Sequence, residues 1–287
     1  MARSVKKAWW ALSCIFAALQ MVIVLFPATL PIGGTGGYFS IDLVSAPFIG
    51  YLLGPLYGTV SVLLGTFIAF VVDPSAAGVL GTITSFIPAF PWVGAFIAGI
   101  VPATSAFVAG RIRTGRYRAV PLVFILLIVF FLLTPVGPLA LSFLWLHIVA
   151  LVLSVLILVP RFKKHLESGL SLSDDASVYV GAITIWLLVF ISVVADHLVA
   201  SVMRAYLFFA VPPTLVLDIY TAVIIIYPIE RIIASLIGGF IIVLLATTLT
   251  RANLHLPTRA VPEEEDTILV EASSQESQTL PDKAWTD

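Results

Sequence analysis

Charge is what this sequence has least of. Asp, Glu, Lys and Arg make up 11% of the 287 residues, against about 25% in an average soluble domain. Hydrophobic residues make up 60% and the mean hydropathy is +1.10. A soluble domain with a large core is excluded, and the chain reads as an all-α polytopic membrane protein. A net charge of −1, with the basic residues spread over several loops, offers nucleic acid no surface. The single cysteine, Cys14, can form no internal disulfide and reads as a small buried hydrophobe in an apolar run. Facing pairs of acids or histidines are almost missing from mid-span positions, which removes several classes of membrane enzyme. No nucleophile–base–orienter arrangement stands out, so an enzyme is not expected.

The apolar runs are long where the charges are few. Runs suited to crossing a bilayer fall at about 8–30, 41–56, 57–73, 92–110, 119–134, 139–160, 177–199 and 231–250, since about 20 residues cross a hydrocarbon core of roughly 30 Å. The first resembles a secretory signal, with basic residues before an apolar stretch. Its length argues for a first membrane helix instead. Two further segments, Pro74 to Pro91 and Ala200 to Pro228, are apolar but broken by proline. Each is either a short re-entrant piece or a tilted helix.

Lysine and arginine set the orientation. With the amino terminus inside, all 15 fall on the inner side except Arg204 and Arg231. This bias favours eight spans, two broken outer segments and both termini in the cytoplasm of a multi-pass cell-membrane protein. Residues 1–255 then form the transmembrane domain. Residues 256–287, containing VPEEEDTILVEASSQESQ, are too polar to bury a core and read as a disordered acidic tail.

The remaining polar groups gather at the outer ends of the spans. GGTGG at Gly33–Gly37 lacks both the preceding strand and the following helix with Lys-Ser/Thr that a phosphate loop needs. Its glycines suit either a mobile gate or a plain connector. Asp42, after Tyr38 and Phe39, is either a helix cap or a ligand contact beside a ring surface. Asp73 offers the same two readings, and Trp92 is an interfacial belt residue or a stacking surface. The segment DIYTAVIIIYPIERIIASLIGGFII contributes Tyr220, Glu230 and Arg231. Glutamate in a first turn complements the helix dipole, whereas Arg231 opposes it and needs a partner such as Asp218, Asp73 or an anionic ligand group. Asp196 and His197 are adjacent and point apart on a helix. With His147 alone in its run, no metal site or cofactor is expected.

Two stretches resemble the substrate-binding S component of energy-coupling-factor transporters. They are AALQMVIVLFPATLPIGGTGGYFSIDLVSAPFIGYLLGPLYGTVSVLLGTFIAF at Ala17–Phe70 and YPIERIIASLIGGFII at Tyr227–Ile242, with LLGPLYG at Leu52–Gly58 as a tight turn between two spans. The resemblance implies capture of a vitamin or related micronutrient at the outer face, under the first loop. Release inward is then driven by a separate T component and two ATPase subunits. It implies ligand contacts at Tyr38, Asp42, Trp92, Glu230 and Arg231, to which the chain's own polar pattern adds Asp73 and Tyr220. It also implies a T-component interface through small residues four apart on the first helix, here Ser13 and Ala17, with Cys14 and Ala18 beside them. Members commonly have fewer spans, so the pair near Ala119–Pro160 reads as an insertion. The alternative is a self-contained, ion-coupled secondary transporter, with the two broken segments as its paired discontinuous helices. A membrane enzyme or assembly protein ranks third.

Overall fold

A computed structural model describes residues 2–26, 29–32, 37–73, 91–171, 178–207 and 213–251. Its first compact unit is Met1–Leu256. The acidic tail expected at 256–287, most of the Pro74–Pro91 segment and the glycines Gly33, Gly34 and Gly36 lie outside the described residues.

The elements run α1 (Ala2–Leu25), β1 (Thr29–Ile32), β2 (Gly37–Ser40), α2 (Asp42–Val72), α3 (Pro91–Arg113), α4 (Ala119–Leu132), a 3-10 turn (Leu141–Leu144), α5 (Trp145–Leu156), α6 (Pro160–Ser171), α7 (Val178–Leu207), α8 (Pro213–Val223) and α9 (Ile226–Arg251). The chain is a helical, multi-pass membrane protein. Among the described residues five helices are long and apolar enough to cross a membrane, or up to six if a bent pair counts as one span. Eight full spans are not seen among the described residues. The run 119–134 yields a helix of 14 residues, ended by a Pro135–Pro138 turn in which Thr134 donates to the Phe131 carbonyl and accepts from the Gly137 amide. The run 139–160 breaks into the 3-10 turn, α5 and, after a 91° bend at Pro160, α6. Proline has no amide to continue the helical ladder, and the chain turns at Pro135–Pro138 and at Pro160.

α2 doubles back on itself. Gln20 of α1 donates to Thr66 (3.3 Å) and accepts from Ser45 (2.7 Å). Those two residues would stand ~32 Å apart along an unbroken helix at 1.5 Å per residue. The reversal occurs at Gly54, whose φ of 77° and ψ of −177° belong to a region open essentially to glycine alone. Pro55 then opens the second arm, where a missing amide costs nothing. The expected turn within Leu52–Gly58 is therefore present, between arms of about 18 Å (42–53) and 27 Å (55–72). The shorter arm falls well below a full span. α3 packs against this turn so closely that a Cβ on Gly110 would collide with the Pro55 nitrogen.

α7 is the central post, with 78% of its span buried and α2, α3, α4, α5, α6 and α9 all packed on it. α1 flanks the α2 hairpin. Ser13 and Ala17 are buried, and a Cβ on Gly65 of α2 would collide with the Ala17 carbonyl. Cys14 is exposed, contrary to the buried position expected of it. A strand does precede the glycine loop: β1 pairs antiparallel with β2 in the register Thr29↔Ser40 to Ile32↔Gly37. A second strand follows the glycines where a phosphate loop requires a helix, so that loop stays excluded. β2 lies against α9 and the start of α2.

Gly54→Ala should lose about 1–3 kcal/mol of stability, because alanine must occupy a backbone region reserved for glycine. Leu56→Ala, at a neighbouring exposed side chain, should change stability far less. Thermal denaturation of both variants in detergent checks this.

Candidate ligand-binding site

The strand hairpin, the start of α2 and the start of α9 meet at one end of the bundle. Charged and aromatic side chains are buried just beneath them. Tyr227 and Arg231 are four residues apart on α9 and so share one face. Both are buried, Arg231 with 7% of its surface exposed. Its Nε and Nη1 are buried without a hydrogen-bond partner. Its charge reaches Asp196, His147 and His197 in the interior. Asp42 and Glu230 also act electrostatically on Asp196, which is 3% exposed. Arg204, from the last turn of α7, lies near Tyr220, Glu230 and Asp196, and its Nε is likewise unpartnered. Among the described residues no salt bridge joins these charges; the ion pair present is Lys163–Glu167, 3.8 Å apart and remote on α6.

Asp42 does not cap α2. The cap position is Ile41, no side chain makes a cap bond there, and Asp42 stands in the first turn with Oδ1 buried and unpartnered. A carboxylate there still complements the helix dipole. The result is a buried cation and a buried acceptor at the same end of the bundle, each lacking a hydrogen bond. An unsatisfied buried polar atom costs about 1–3 kcal/mol, more when charged. Such groups persist where something else answers them.

Beneath the charges lies an aromatic stack. His147 Nε2 and His197 Nδ1 are 3.1 Å apart, one imidazole donating to the other. His197 stacks on Tyr227 with ring centroids at 4.5 Å and planes 10° apart, and His147 lies 6° from parallel with His197. Phe143, one turn before His147, packs its ring on both histidines, Tyr220 and Tyr227. The Tyr227 hydroxyl donates to the Phe143 carbonyl at 2.7 Å, and Tyr220 donates to the Ser201 carbonyl at 2.8 Å. Burial raises the Tyr220 phenol above its usual value, against the opposing Arg204 charge, so it keeps its donor proton.

Of the residues singled out in the sequence, Asp42, Glu230 and Arg231 all act electrostatically on Asp196, and Tyr220 acts on Arg204 and packs in the aromatic stack. Trp92, the second residue of α3, is 57% exposed. Asp73 ends α2, its amide donating to Ala69. Asp218 is exposed on α8. The backbone of Tyr38 pairs with Pro31; its side chain is outside the described ones. His147 and His197 come together from segments 50 residues apart, a meeting that no local spacing signals. Among the described residues no group of three His, Cys, Asp or Glu could hold a metal ion. A separate cleft of about 390 Å³, lined by apolar residues such as Leu63, Ile100, Phe107 and Met203, includes none of the candidates.

The chain is similar to an uncharacterized protein of Methanocaldococcus jannaschii, 29% identical over 195 residues. The match covers 68% of this chain but only 56% of that protein, about half its length. No family model matches the sequence. No solved structure matches either.

Tyr227→Phe deletes one buried hydroxyl and leaves the Phe143 carbonyl without its donor. It should lower stability by about 1 kcal/mol, read by thermal denaturation, while the ring stack is kept.

Proposed function

We propose that this protein is the substrate-binding membrane subunit of an energy-coupling-factor type transporter, which captures a vitamin or related micronutrient at the outer face. The supporting observation is the Arg231 guanidinium, buried with two unpartnered nitrogens at the same end of the bundle as the unpartnered Asp42 carboxylate oxygen. A guest with an anionic group for Arg231 and a donor for Asp42 answers both. Charge-assisted hydrogen bonds of this kind are roughly twice as strong as neutral ones. Tyr227 and the histidines wall the site on the side of the interior. The β1–β2 hairpin, which rests on α9 and α2, is the natural cover for such a guest. In this reading the T component and ATPase subunits supply the energy, and this chain carries no catalytic residues. The outer position rests on the lysine and arginine bias.

A second reading draws on the His147–His197 pair beside Asp196. Ionisable groups within membrane helices commonly mark ion or proton pathways, and a hydrogen-bonded histidine pair suits an ion-coupled secondary transporter. Uptake by this chain alone in liposomes, driven by a proton or sodium gradient and lost in Asp196→Asn, would favour it over the first.

Arg231→Met separates ligand capture from folding. If the guanidinium is kept for a guest, with no salt bridge to break among the described residues, the apo variant should still fold. The small molecule that copurifies with wild type, identified by mass spectrometry, should then be lost. A variant that keeps this molecule, or that unfolds, contradicts the proposal.

A further inference from the structure

At the opposite end of the bundle, two basic segments distant in sequence come together. The turn after α3 carries Arg116 and Arg118, both exposed. α6 carries Arg161, Lys163 and Lys164, also exposed. Tyr117 joins them: its buried ring lies 5.9 Å under the Lys163 ammonium, and the Glu167 carboxylate stands beside its hydroxyl. Burial, reinforced by Glu167, pushes this phenol up to about 12, so it stays neutral and adds no negative charge. Glu167 is the acid on α6, and it is 3.8 Å from Lys163. Asp174 and Asp175, which follow α6, lie outside the described residues.

The shape of α6 matters as much as its charge. It leaves α5 at 91°, so it does not continue the direction of the helix before it. Leu166, Gly169 and Leu170 bury one stripe against α7. Phe162 continues that stripe one turn earlier, where it is 56% exposed. The helix is therefore apolar on one side beyond what the protein itself covers, and basic on the other. That combination suits a helix lying in the headgroup region of a bilayer, with its ring among acyl chains and its cations among phosphates.

We propose that α6 and the α3–α4 turn form one binding surface for anionic lipid headgroups. The proposal is independent of the ligand site at the other end. The cations provide the charge complement, Phe162 anchors the helix, and Tyr117 fixes the two segments to each other.

The test is native mass spectrometry of the full chain in uncharged detergent, with phosphatidylglycerol or phosphatidylcholine added at equal concentration. Wild type should retain phosphatidylglycerol in preference, and Arg118→Gln/Arg161→Gln/Lys164→Gln should lose that preference by roughly fivefold per charge removed. The charge-keeping variant Arg118→Lys/Arg161→Lys should retain it, which separates lipid binding from misfolding. Millimolar inorganic phosphate should not displace the lipid. Equal retention of the two lipids by wild type would overturn the proposal, as would an unchanged preference in the triple glutamine variant. Displacement by free phosphate would overturn it too, by making the site one for a soluble anion.

Discussion

Arg231 is the constraint around which the rest of this structure is arranged. A guanidinium cannot be neutralised by losing its proton at any ordinary pH, so in an apolar bundle it must be answered by counter-charge, hydrogen bonds or a guest. Here the counter-charges are near enough to act on one another, through Asp196, Asp42 and Glu230, yet no salt bridge forms between them among the described residues. The neighbouring aromatic rings spend their polar atoms elsewhere, Tyr227 on the Phe143 carbonyl and Tyr220 on the Ser201 carbonyl. The donors of Arg231 are thus left over by construction.

The scaffold explains how such a charge is kept in place. The α2 hairpin puts Asp42 at one end of the bundle and the Gly54 turn at the other, with α3 fitted against the turn at Gly110 and Gln20 tying both arms to α1. α7 then carries Asp196 and His197 into the middle of the packed helices. The two ends have different chemistry. One is buried and mixed in sign, with a strand hairpin against its helices; the other is exposed and almost wholly basic.

Much of this was legible in the sequence because it depends on residue types with one physical use. The scarcity of charge means membrane, and a glycine followed by proline between apolar runs means a reversal, which Gly54 and Pro55 deliver. Asp42, Glu230 and Arg231 stand near the starts of their helices, so their convergence at one end follows from simple up-and-down counting. The span count was less legible, because Pro135, Gly137, Pro138 and Pro160 divide runs whose hydropathy alone looks continuous. The strand pair was missed although glycines between Thr-Leu-Pro-Ile and Gly-Tyr-Phe-Ser are a hairpin signal. The histidine pair could not be read at all, since tertiary packing alone brings α5 to α7.

The most direct test of the central claim is the nitrogen-15 resonance of the Arg231 Nε–H, assigned by its loss in Arg231→Lys and followed as the copurified small molecule is removed and restored. The account predicts that this resonance moves on removal and returns on restoration, because the guest accepts that hydrogen bond. A resonance indifferent to the guest would contradict it, and would mean that Arg231 is satisfied by the protein itself.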